Sequence, residues 1–132
     1  MLSGRVHFTT FGTGRWALKK IVLRIQARRS GAHSTSSWSI GKLPRSFVDS
    51  VAPHIYEPRG AGYWLWKPYI ISQELNKLNY GDVLVYCDAG CEIDINRSAK
   101  FKEYLKQTSS NPFLAFTIMI IRLGIDDMSQ RC

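Results

Sequence analysis

The chain is expected to fold as a single α/β domain, and three observations say so. Two short, strongly apolar stretches, residues 6–11 (VHFTTF) and 83–87 (VLVYC), carry the β-branched and aromatic residues of strands. Between and around them lie segments whose apolar residues recur at helical spacing. A carboxylate, Asp88, stands where the second stretch ends, and in open α/β sheets ligands bind at that end of the strands.

In chain order, residues 6–11 form the first strand, and Gly12 and Gly14 follow as a turn. A helix is then predicted over 15–29. Its Leu18, Ile21, Val22 and Ile25 fall at i, i+3, i+4 and i+7 and should pack against the sheet. Strand, glycine turn and helix open a nucleotide-binding βαβ unit. Thr10 and Gly12 are therefore candidate donor contacts, by backbone N–H groups near a phosphate. The run is not a full GxGxxG fingerprint, and a plain strand-to-helix turn is the competing reading. Residues 30–41 are polar, with a short strand near 37–40. A further helix starts at Pro44, with Phe47, Val48, Val51 and Ala52 at helical spacing, and Pro53 and Pro58 break it. His54, at that break, reads as a helix-end residue.

The stretch 60–91, GAGYWLWKPYIISQELNKLNYGDVLVYCDAGC, organises the rest. Pro68 suits a first helical position, which would make Lys67 the N-cap. Ile71, Leu75 and Leu78 supply an apolar stripe, and Gly81 suits a C-cap. Residues 83–87 read as an interior strand covered on both faces. Asp82, at the opposite end, reads as a turn residue. Phe101, Tyr104 and Leu105 mark a later amphipathic helix, and 113–121 (FLAFTIMII) reads as one more buried strand. The order of elements gives a three-layer α/β/α sandwich.

GYWLWKPYII followed by GDVLVYCDAG resembles a family of glycosyltransferases with the GT-A, nucleotide-diphospho-sugar transferase fold, itself Rossmann-like. The resemblance covers roughly residues 6–117. It implies that Asp88 stands at the first Asp of an Asp-x-Asp motif that holds a divalent metal, Mn²⁺ or Mg²⁺, and the sugar-nucleotide diphosphate. Gly90 occupies the motif's third position, where the strict form has a second Asp, and Glu92 or Asp94 is the substitute ligand to consider. The expected metal residues are thus Asp88 and Glu92. The expected donor-binding residues are Asp88, Gly90, Lys67, Arg59, Trp66, Thr10 and Gly12. Lys67 or Arg59 would neutralise pyrophosphate. Tyr63, Trp64 and Trp66 would stack on a base or sugar, or pack the helix on the sheet. Trp64 and Trp66 are expected to share one face. The partners implied are a nucleotide-sugar donor and an acceptor that is a glycan, lipid or protein.

Composition bounds these readings. The 132 residues, 45% hydrophobic and 12% aromatic, are those of a globular domain. A GT-A enzyme usually needs more chain, so an incomplete C-terminus is expected, and with it donor binding without transfer. An exposed outer edge on the strand at 113–118 would then favour a dimer. The adjacent Asp126 and Asp127 read as solvated acids near a chain end. The net charge is +8, and residues 1–48 hold nine Lys and Arg with no acid. That basic third supports the alternative, a non-catalytic nucleic-acid-binding module, although no known motif of that kind appears. Three cysteines without paired CxxC spacing, and no secretory signal, point to a reduced, cytoplasmic protein. No apolar run reaches the ~20 residues of a membrane span.

Overall fold

The computed structural model describes residues 4–56, 64–111, 113–115 and 118–122, the last two segments as backbone strands. It is a mixed α/β fold. The sheet has five strands, β1 (Val6–Phe11), β2 (Ser34–Trp38), β3 (Val83–Asp88), β4 (Phe113–Ala115) and β5 (Ile118–Arg122). They lie in the order β2-β1-β3-β5-β4. β1 pairs in parallel with both β2 and β3, and β5 runs antiparallel to β3. Four α-helices occur among the described residues: α1 (Ala17–Arg29), α2 (Arg45–Val51), α3 (Trp66–Leu75) and α4 (Ser98–Gln107).

The first strand and the interior strand stand where the sequence places them, β3 running one residue further, through Asp88. Side chains alternate across the sheet, so β1 and β3 each feed two apolar clusters. Val6, Phe8, Val83, Val85 and Cys87 pack with Leu23 and Ala27 of α1 and Leu105 of α4. Phe11 and Tyr86 pack with Trp66 and Ile70 of α3 and with Leu43 and Ile55. Phe47, Val48 and Val51 of α2 close that second cluster.

Several expectations need correction. The second strand is β2, at Ser34–Trp38 rather than 37–40. It is a polar edge strand whose chain direction is fixed by pairing with β1, not by apolar pattern. The segment 113–121 is not one strand but part of a hairpin, β4 against β5 with Phe113 opposite Ile121. The strand beside β3, β5, therefore has β4 as its outer neighbour, and β4 forms that edge of the sheet. α3 begins at Trp66 with Leu65 as N-cap, so Pro68 is its third residue, still among the orphan N–H positions. The helix buries Trp66, Ile70 and Glu74 instead of Ile71, Leu75 and Leu78, and it ends before Leu78. Glu74 stands burial because its Oε1 accepts from Trp38 Nε1 at 2.8 Å and from Lys77 Nζ at 3.2 Å. Gly81 does have a positive φ of 88°, but it serves the turn into β3 rather than a helix cap.

The largest departure is on α1. It packs through Leu23 and Ala27, while Leu18, Ile21, Val22 and Ile25 face outward and keep 49 to 76% of their surface exposed. Lys20 and Arg24 explain the inversion. They lie on the β2 side of the helix, where Lys20 Nζ donates to the Trp38 carbonyl at 3.1 Å. Arg24 Nε donates to Thr35 Oγ1, also at 3.1 Å. Those bonds and the small Ala27 select the packed face over the more apolar one. Arg59, Tyr63, the glycines at 60 and 62, Asp126, Asp127 and the C-terminal end lie outside the described residues.

Candidate functional site

Strand order 2-1-3 makes the gap between β1 and β3 a point where chain connections diverge, β1 leading to one side and β2 crossing to the other. Ligands of open α/β sheets bind at the carboxyl ends of the strands at such a point. Phe11 and Asp88 are directly paired there.

Asp88 is the best-equipped group at this place. Its side chain is 44% exposed, and Lys67 Nζ lies 3.3 Å from Oδ1 and 3.5 Å from Oδ2. The Tyr86 hydroxyl donates to Oδ1 at 2.6 Å. Tyr86 and Asp88 are two apart on one strand and so share a face. That spacing is the signal by which Tyr86, absent from the sequence-based site, was available to find. Burial, and then the bond to Asp88, pushes the Tyr86 phenol far above its ordinary range, so it remains a neutral donor. Lys67 also rides over aromatic faces, 5.3 Å from the Tyr86 ring centre and 5.8 Å from that of Trp66. A cation, a carboxylate and a phenol thus meet at the carboxyl end of β3.

The two tryptophans take different places, contrary to the shared face expected. Trp66 is 4% exposed and stacks on Phe11, with ring centres 3.7 Å apart and planes within 12°. It is a core side chain with no free face for a base or sugar. Trp64 is 45% exposed and has a φ of +58°, the one positive φ outside glycine among the described residues. A bulky residue in that region is strained, and such outliers gather at ligand sites.

The expected β1 turn contacts are occupied by the fold. Thr10 is fully buried, its Oγ1 donating to the Cys87 carbonyl at 2.6 Å. Gly12 spends its N–H on the Trp38 carbonyl at 3.0 Å. A Cβ on Gly12 would lie 3.0 Å from side-chain carbons of Ala89, Lys20 and Trp16, closer than ordinary contact, so close packing favours glycine there. Gly90 is exposed beside Trp16, and a Cβ there would meet only ordinary contacts.

Lys20 adds positive charge at the same end of the sheet. Partial burial, then the repulsion of Lys42 and Arg24, lowers its pKa below the usual lysine value.

The described residues do not gather as a divalent metal site. Such an ion wants several oxygen ligands converging, whereas Asp88 is already neutralised by Lys67. Glu92 is exposed, and no three His, Cys, Asp or Glu side chains among the described residues gather as a metal site would require. Cys87 and Cys91 are not joined in a disulfide, and burial, followed by the neighbouring Cys91, raises the Cys87 thiol well above its normal range. Among the described residues no helix is long and apolar enough to cross a membrane.

No family model, no curated protein and no solved structure matches this chain.

Proposed function

We propose that this domain is the donor-binding part of a glycosyltransferase, holding a nucleotide-diphosphate sugar across the carboxyl ends of β1 and β3. In this reading the fold is a three-layer Rossmann-like α/β/α sandwich of the GT-A kind. The observation that carries it is the Lys67–Asp88 pair at the divergence between β1 and β3, 3.3 Å apart and half open to solvent. Lys67, with Lys20 nearby, neutralises the diphosphate, the task that a metal performs in many such enzymes. Asp88 accepts from a ribose or sugar hydroxyl, and Tyr86 fixes its orientation. Of the aromatic residues expected to stack on the donor or to pack, Trp64 takes the stacking role and Trp66 the packing one. The acceptor, a glycan, lipid or protein, is bound by residues beyond this set, and no general base is assigned, so donor binding without transfer is the expected behaviour. The nucleic-acid alternative draws on the basic first third. It is weakened because Lys20, Arg24, Arg28 and Lys42 all donate to residues 33–38.

Calorimetry with uridine and guanosine diphosphates and their sugar conjugates, with Mn²⁺ or with a chelator, tests this. Binding of at least one donor should persist in chelator and fall by about tenfold or more in Lys67→Ala, the loss of one charge-assisted contact. Absence of binding by every nucleotide, with the protein folded, would sink the reading.

A further inference from the structure

From the outward face of α1 we infer a second functional surface, one that seats this domain on an anionic membrane. The helix packs on the sheet through Leu23 and Ala27, which leaves Leu18, Ile21, Val22 and Ile25 pointing away from the protein. At about 100° per residue these four fall in one arc about 100° wide. Lys19 lines one border of the arc, with Arg15 in the turn before the helix, and Arg29 stands at its C-terminal end. On the other border Arg28, Arg24 and Lys20 donate to His33, Thr35 and Trp38 and keep their charge beside the stripe. Arg15, Lys19, Arg28 and Arg29 are all exposed, as is much of Trp16 at the helix start. An apolar stripe bordered by cations on both sides is the pattern of a helix lying in the membrane interface. There the stripe enters the acyl boundary and the cations meet lipid phosphates.

Charge decides between the possible occupants. A second copy of this chain would set Arg15, Lys19, Arg28 and Arg29 against their own counterparts. Residues 1–48 hold no acid to offset that repulsion. A nucleic-acid backbone would satisfy the cations but would leave four large aliphatic side chains against phosphates and water, where they gain nothing. An anionic bilayer surface satisfies both components at once. Lying on the surface needs no spanning helix, so the absence of one among the described residues is no obstacle.

The test is vesicle flotation of the whole 132-residue protein, with phosphatidylcholine vesicles and with vesicles in which roughly a third of the lipid is phosphatidylglycerol. The protein should float with the anionic vesicles at ~0.1 M salt, and much less with the neutral ones or at ~0.5 M salt, where screening is strong. Ile21→Ser with Ile25→Ser should cut the partition by about tenfold or more, because buried apolar area sets the strength of interfacial binding. Lys19→Glu with Arg29→Glu should do the same. All four positions are exposed, so circular dichroism should show each variant folded. The salt series on the unchanged protein tests the idea even where a variant is not. Failure to float with anionic vesicles overturns the proposal, as does flotation indifferent to the serine changes. A concentration-dependent dimer that the serine changes dissolve would reassign the stripe to a second copy. Salt-sensitive duplex binding that survives them, without flotation, would reassign the cations to nucleic acid.

Discussion

Two aspartates bracket β3, and the protein uses them in opposite ways. Asp82, just before the strand, has a side chain only 7% exposed. It accepts from the Arg5 N–H at 2.9 Å and the Asn79 N–H at 3.1 Å, and His7 Nε2 lies 3.2 Å away. Asp88, at the strand's other end, is 44% exposed and takes its partners, Lys67 and Tyr86, from side chains alone. A carboxylate that satisfies backbone N–H groups is holding the chain in place. One held by side chains, with much of its surface in water, is free to exchange a partner for a ligand. Asp82 is thus committed to the backbone at the amino end of β3, whereas Asp88 at the carboxyl end keeps an exposed face.

The largest effect should come from a contrast within the carboxyl end. Trp66→Ala removes a stacked core ring and should cost about 3–5 kcal/mol in urea unfolding. Trp64→Ala removes an exposed ring and should cost well under 1 kcal/mol while weakening nucleotide binding. Equal costs would mean that the two rings do not divide between core and site.

Asp82→Ala should come next, at about 2–3 kcal/mol, because it strands two backbone N–H groups that are partly buried. Nucleotide affinity of the folded protein should not change. The same contrast has a pH signature. Burial raises the pKa of Asp82, but the bonds from Arg5 and Asn79, then His7, outweigh it and leave the group below its ordinary 3.8. A carboxyl whose pKa is lowered on folding stabilises the protein above its unfolded value, and that contribution is lost as pH falls through the folded value. The unfolding midpoint should therefore drop below about pH 4 in the parent protein, and more shallowly in Asp82→Asn.

The smallest effect on stability is expected at Asp88, where Asp88→Asn should shift unfolding by no more than about 1 kcal/mol, as for other solvent-exposed pairs. Calorimetry should nevertheless show weaker nucleotide-sugar binding. An unchanged affinity would return Asp88 to the same structural class as Asp82.

What the sequence disclosed follows from the kind of force at each place. β3 was legible because it is apolar at nearly every position and β1 because it is rich in β-branched and aromatic residues, and Asp82 was legible as a turn residue by its neighbours. β2 was misplaced because STSSW carries no apolar signal, and its position comes from pairing with β1. On α1 and α3 the periodicity gave the helix but not its buried face. Partners distant in sequence, Trp38 for Glu74 and Thr35 for Arg24, decide which stripe turns inward. Of the residues expected at the site, Lys67 and Asp88 do meet, while Thr10, Gly12 and Trp66 are held in buried or close-packed places.

Edge strand β2 has one more consequence, for behaviour at high concentration. Arg28 donates to the His33 carbonyl and Lys42 Nζ to that of Ser37 at 2.8 Å. A bare strand edge is a template on which another chain can crystallise into continuous sheet. Here Arg28 and Lys42 cap part of that template and carry like charge to the seam. Two molecules approaching through it must discard native hydrogen bonds and press cation on cation. Growth of fibrils from this side should be slow in dilute buffer and should quicken when salt masks the charge.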